Sequence, residues 1–135
     1  METLIDRKSF KAKVFERDGH RCVICGDPAV DAHHILERKL FSDGGYYLSN
    51  GSSLCSDCHM AAETTEFTVE RIRSACGIDK PALPEGFASD RSYDKWGNEV
   101  LADLRRRPGP LFDDPGMRKA LARILYDGTF IKNWS

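Results

Sequence analysis

The sequence predicts an α+β fold in which short strands and helices gather around bound metal. Three observations carry this expectation. Four of the five cysteines form two pairs with two intervening residues, Cys22 with Cys25 and Cys55 with Cys58. Two short strand-like runs lie between or beside them. Segments with helical spacing and recognisable caps flank the whole.

Taken in order, a first helix is expected from about Ser9 to Asp18. Ser9 serves as its cap, Gly19 as its left-handed stop, and Phe10 and Val14 share one face. Gly19 to Pro28 reads as a tight loop carrying the first cysteine pair. Ala29 to Ile35 has strand character, and Leu36 to Asn50 is a long connection with a turn at Asp43, Gly44 and Gly45. A second strand near Ser52 to Leu54 leads into Cys55. Helices follow at Asp57 to Thr65, favoured by Ala61 and Ala62, and at Thr68 to Cys76, stopped by Gly77.

The composition changes at Lys80. Proline and glycine punctuate the chain to about Gly116, with one short helix expected around Glu99 to Arg106. A last helix begins with Asp114 as cap and Pro115 in the first turn, and Gly128 follows its end. Met117, Ala120, Leu121, Ile124 and Leu125 form its apolar face. Two units are expected: residues 1–79 with the metal sites, and an extension, 80–135, packed on the first.

The chain has 135 residues with 41% hydrophobic content, enough for one globular core. It has no apolar run of the roughly 18–20 residues that a membrane helix needs. No charged-then-apolar leader is evident, and the odd cysteine count argues against a secreted disulfide scaffold. A reducing cytoplasm is the expected location. Twenty basic against 21 acidic residues, a net charge of −1, exclude a polycationic nucleic-acid coat but not a local basic face.

Two thiolate pairs can wrap one tetrahedral zinc ion, and here 29 residues separate them. Such a closure makes metal binding part of folding. A redox dithiol would not account for two pairs. Haem attachment is suggested by Cys55, Cys58 and His59, but it follows export and leaves the first pair unexplained. Near the pairs lie His33, His34, Asn50 and His59. Glu63 follows His59 by one helical turn, so the two can hold one ion together. An imidazole with a hard carboxylate suits magnesium, manganese or zinc.

The run Asp31-Ala32-His33-His34-Ile35, then Asn50, then Leu54-Cys55-Ser56-Asp57-Cys58-His59, resembles the HNH endonuclease family with a zinc-binding cysteine frame. The resemblance covers about residues 10–66. It implies a ββα-metal finger, in which two short strands, a loop and a helix cradle one ion, and phosphodiester hydrolysis as the reaction. It further implies His34 as general base, with His33 and His59 as ligands of a catalytic divalent ion. Glu63 stands where some members have a third histidine ligand. Asn50 would brace the finger loop and orient His34. In a flat strand, however, adjacent side chains point to opposite faces, so His33 and His34 share a site only if the strand bends or ends there.

Substrate contact is expected from Arg38 and Lys39, which follow His34 closely, with Lys8, Lys11, Lys13, Arg17 and Arg21 as further candidates. The run Arg105-Arg106-Arg107 reads either as a phosphate grip or as a solvated helix end. Tyr93 and Trp96 either stack on bases or pack the extension onto the finger, the second being favoured. Tyr46 and Tyr47 carry the same ambiguity. Cys76 reads as a small core residue. The expected partner is nucleic acid, DNA before RNA, with target choice left to the extension, a homodimer or a targeting partner. The rival reading is a zinc-stabilised nucleic-acid-binding or adaptor module without catalysis, for which the set His33, His34, Asn50 and His59 has no use.

Overall fold

The computed structural model describes residues 2–131; residues 132–135, the end of the expected extension, lie outside the described part. The first helix, α1, runs Arg7–Arg17. Its cap is Asp6, whose carboxylate accepts from the Lys8 amide at 2.8 Å, so the helix starts before the Ser9 cap read from sequence. An aspartate caps as well as a serine, and the earlier cap adds Arg7, Lys8 and Ser9 itself to the helix, just under one turn. Gly19 takes up the expected left-handed conformation at φ 68°.

Strands β1 (Asp31–His34) and β2 (Gly51–Leu54) pair antiparallel, with His33 opposite Ser52 and His34 opposite Gly51. Alternation assigns the two sides of this small sheet. Ser53 hydrogen-bonds the Val14 carbonyl, which puts Ser53, Ala32, Gly51 and His34 towards α1. Gly51 is required there: a Cβ would come within 2.5 Å of Val14 and 2.8 Å of Phe10. Arg17 clamps the same junction by donating to the carbonyls of Leu48 (2.6 Å) and Gly51 (2.7 Å). It is therefore turned inward and is not a free basic contact.

The opposite side of the sheet carries Asp31, His33, Ser52 and Leu54, and it faces α2 (Ser56–Glu63). Helix α2 ends in a Schellman-type turn, with Thr65 N–H bonding Ala62 O and Glu66 N–H bonding Ala61 O. Thr65 stands at φ 63°, where glycine is usual. Helix α3 (Val69–Cys76) is capped by Thr68 and stopped by Gly77, as the sequence indicates. Ile35, Leu36, Leu54, Ala62, Val69 and Ile72 form the core that joins sheet, loop and helices. Cys76 packs partly buried against this core.

The expected helix at Glu99 to Arg106 is a hairpin instead. Strands β3 (Glu99–Val100) and β4 (Arg106–Arg107) pair antiparallel across a turn in which Leu104 has φ 71°. Asp103 accepts from the Arg105 amide at 3.0 Å, a local side-chain bond that competes with helix. The last helix, α4 (Pro115–Ala120), starts at the expected Asp114 cap but stops eight residues short of Gly128. Ile124 bonds back three residues to Leu121, so the segment tightens into turns. Its apolar face survives: Met117 and Leu121 form a second core with Trp96 and Phe130. Among the described residues no helix is long and apolar enough to cross a membrane.

Candidate metal centres

Cys22 and Cys25 sit on a tight knuckle, in which Cys22 N–H bonds Asp27 O and Gly26 N–H bonds Cys22 O. Cys55 is the N-cap of α2, and its sulfur accepts from the Cys58 amide at 3.4 Å. The four sulfurs lie within 4.8 Å of one another, and none is in a disulfide. Spacing, thiol chemistry and convergence on one point fit a tetrahedral zinc ion.

A second group is His33, His59 and Glu63, whose ligand atoms also lie within 4.8 Å of one another. Strand β1 supplies His33 and one turn of α2 supplies the other two. His33 is buried, and both its ring nitrogens lack a hydrogen-bond partner. Such orphaned polar atoms are costly unless something fills them, and a cation suits the ring nitrogen that carries the lone pair. His59 Nε2 is 3.1 Å from Glu63 Oε1, and His33 Nδ1 is 3.7 Å from the same oxygen. His59 Nδ1 meets Asp31 Oδ2 at 3.0 Å. This orients the imidazole from behind, as carboxylates do for metal-bound histidines. Asp31 was legible as a partner: it lies two residues before His33 and so shares its side of the strand.

The charges are arranged for a cation. Burial holds the His33 pKa down to about 4, leaving a neutral ligand at pH 7. Against the cost of burial, His33, His59 and Lys95 hold the Glu63 carboxyl well below the usual range. The hydrogen bond that His59 donates to Glu63 raises the His59 pKa, although burial opposes it. This set offers a ready anionic oxygen beside two imidazoles.

His34 is not in this group. It ends β1 on the α1 side, as simple alternation requires, with its ring stacked on Phe10 (centroids 4.7 Å apart) and edge-on to Tyr46 (4.9 Å). Its Nε2 is buried without a partner, and burial followed by the Lys95 charge lowers its pKa to about 4. Asn50 is fully buried and braces the loop. Its Oδ1 accepts from Leu36 N at 2.9 Å, and its Nδ2 donates to Leu36 O at 3.0 Å and Gly45 O at 3.2 Å. These bonds fix the chain immediately after His34.

The candidate substrate residues divide. Arg38 lies beside His34, donating to the Tyr46 hydroxyl at 3.1 Å. Lys39, half-exposed, pairs with Asp114 at 2.9 Å and ties the loop to the cap of α4. The run Arg105 to Arg107 is not a helix end, and each member faces a carboxylate: Asp103, Asp94 and Glu99, with Arg106 turned inward. Tyr93 bonds the Ala88 amide and lies against Phe87, and buried Trp96 donates to Glu63 O at 2.9 Å. Both are packing residues. Lys95, which sequence reading passed over, is buried against the second group.

A family model described as HNH endonuclease matches residues 22–65, which hold all four cysteines, both histidines of the second group and Glu63. Neither the curated proteins nor the solved structures compared with the chain give a match. Within the matched segment, a two-stranded sheet and a helix bring together the residues that the motif contains, so the likeness to the HNH endonuclease model extends to the arrangement of the candidate ligands.

Proposed function

We propose that the protein is a metal-dependent endonuclease that hydrolyses phosphodiester bonds, in DNA before RNA. The observation that carries this reading is the buried, unpartnered His33 converging with His59 and Glu63 inside the matched segment. The four-cysteine zinc ion is structural: it ties the first knuckle to the start of α2 and so sets where His59 and Glu63 stand. His33, His59 and Glu63 hold a catalytic divalent ion, magnesium or manganese in the first instance. When bound, that ion stabilises negative charge on the phosphate and on the leaving 3′ oxygen.

The chain's own residues supply the rest. His34 is neutral at pH 7, and its Nε2, buried and unpartnered in the fold without substrate, is the atom that would take the proton from the attacking water once substrate entry uncovers it. An approaching phosphate raises the basicity of that imidazole, because negative charge favours the protonated form. Phe10 and Tyr46 fix the ring, and Asn50 fixes the backbone that follows it. Arg38, held by Tyr46, offers its guanidinium to a phosphate beside His34, a contact that positions without reading sequence.

The test is cleavage of plasmid, single-stranded DNA and RNA with added magnesium or manganese, comparing wild type with His34→Ala. Wild type cuts only with metal; the variant keeps its zinc and its melting profile but loses cleavage by at least about 100-fold, as removal of a general base does. Absence of cutting by folded, zinc-loaded wild type on all three substrates would favour a binding module instead.

A further inference from the structure

Lys95 lies outside the matched segment, in a part of the chain to which the nuclease reading gives no task. Its side chain is only 4% exposed, so it does not reach a substrate. A buried ammonium needs partners for its three donors. Here Nζ faces Glu37 Oε2 at 3.2 Å, the His34 carbonyl at 3.1 Å and Glu63 Oε2 at 3.8 Å, with the Trp96 ring 5.2 Å away. The flanking backbone is pinned as well. Glu37 N–H bonds Lys95 O at 2.9 Å, and Trp96 Nε1 bonds the carbonyl of Glu63 itself at 2.9 Å.

The two oxygens of Glu63 are thus divided. Oε1 faces the two imidazoles, at 3.1 Å from His59 and 3.7 Å from His33. Oε2 faces Lys95. We propose that Lys95 is a positioning residue that keeps Glu63 a one-oxygen ligand, so that the bound cation retains a coordination position for a phosphate oxygen. The proposal rests on the metal site of the preceding subsection. Its physical basis is that a carboxylate can bind a divalent cation through one oxygen or through both, and both modes are open when both oxygens are free. A fixed charge on one oxygen removes that option. The same charge repels the cation, so Lys95 gives up some affinity for an open position.

The experiment uses the zinc-loaded full chain, with Mn2+ alone as the probe. Free Mn2+ is titrated by electron paramagnetic resonance, and the waters on bound Mn2+ are counted by water relaxation. Lys95→Met is expected to bind Mn2+ as tightly as wild type or up to about tenfold more tightly, to hold one water fewer, and to cleave at least about tenfold more slowly. Lys95→Arg restores the wild-type water count. A Lys95→Met protein with the wild-type water count, whatever its affinity or rate, overturns the proposal, because a scaffold role would leave the ligand mode unchanged.

Should Lys95→Met not fold, Glu37→Gln decides. It leaves Lys95 with Glu63 as its one anionic partner, so Mn2+ binding weakens several-fold while the water count stays. Unchanged affinity in that variant overturns the proposal. Failure of wild type itself to bind Mn2+ through His33, His59 and Glu63 is a separate result that defeats the metal reading beneath it.

Discussion

Replacing Arg106 by methionine should unfold the protein more than any exposed arginine could. Asp94 is buried, its side chain 3% exposed, and Arg106 Nη1 lies 2.8 Å from its Oδ2. The remaining partners of Asp94 are neutral: the amides of Trp96 and Asn98 and the Asn98 side chain. Removing the cation strands a carboxylate in the interior, which costs about 3–5 kcal/mol. The bond from Arg106 to Thr65 Oγ1 (2.9 Å) goes with it, for about 1 kcal/mol more. For a chain of this size that lowers Tm by roughly 10–20 °C. The assay is thermal unfolding at fixed zinc concentration, run on Arg106→Met, Asp94→Asn and the double variant. Asparagine in place of Asp94 removes the stranded charge, so the double variant should be more stable than the sum of the two losses by at least about 2 kcal/mol. The loss in Arg106→Met should also depend on pH. Burial raises the Asp94 pKa and Arg106 opposes it, so without Arg106 the folded pKa climbs further above the unfolded value. The folded state then favours the protonated acid, and stability is lost as pH rises from about 4 through that raised pKa. Additive losses, or a gap between wild type and variant that narrows towards neutral pH, would refute the stranded-charge argument.

The remaining predictions concern the two metal groups. Cys58→Ser should release zinc and abolish cooperative unfolding, measured by metal analysis and far-ultraviolet circular dichroism, since structural zinc contributes on the order of 10 kcal/mol; a folded, zinc-loaded variant would remove the four-sulfur site. In zinc-loaded protein without the second ion, His33 should make stability fall with acid. Its folded pKa is about 4 against 6.5 unfolded, so its contribution is complete above 6.5 and disappears as pH drops to about 4. The full difference is about 3 kcal/mol relative to His33→Gln, read as the change in the stability gap between the two proteins from pH 7 to pH 4.

Legibility in the sequence followed the range of the interactions. The cysteine pairs, the Thr68 cap with its Gly77 stop, and the His59–Glu63 turn are all set by residues within a few positions of each other, and each stands where the spacing put it. Alternation also settled a point that the family resemblance had blurred: His33 and His34 occupy opposite sides of a regular strand. Errors arose where a local signal had a stronger competitor. Ser9 lost to Asp6, and the Glu99 to Arg106 helix lost to an aspartate turn and to the long-range bonds of Arg106. Arg17 and Arg106 look alike in sequence to any exposed arginine, yet both spend their donors on internal acceptors more than 10 positions away. Nothing in their immediate neighbours signals it.

The same long-range bonding bears on what the matched segment can do by itself. Residues 22–65 hold the ligands and some of the groups that aim them, such as Asp31 behind His59, but not all of those groups. Phe10 and Arg17 come from before the segment: one backs the His34 ring and the other pins β2 to α1. Lys95, Trp96 and Arg106 come from after it: they touch Glu63 twice and hold Thr65, the left-handed residue that ends the ligand-bearing helix. A threonine in that conformation costs about 1 kcal/mol or more, and its bond to Arg106 offsets part of that cost. Asp94 joins these elements, because it fixes Arg106 on one side and the turn carrying Lys95 and Trp96 on the other. The extension therefore meets the metal group directly through Lys95 and Trp96, and one buried carboxylate holds those contacts in place. Damage at Asp94 or Arg106 should be felt at Glu63, although neither residue approaches a ligand directly.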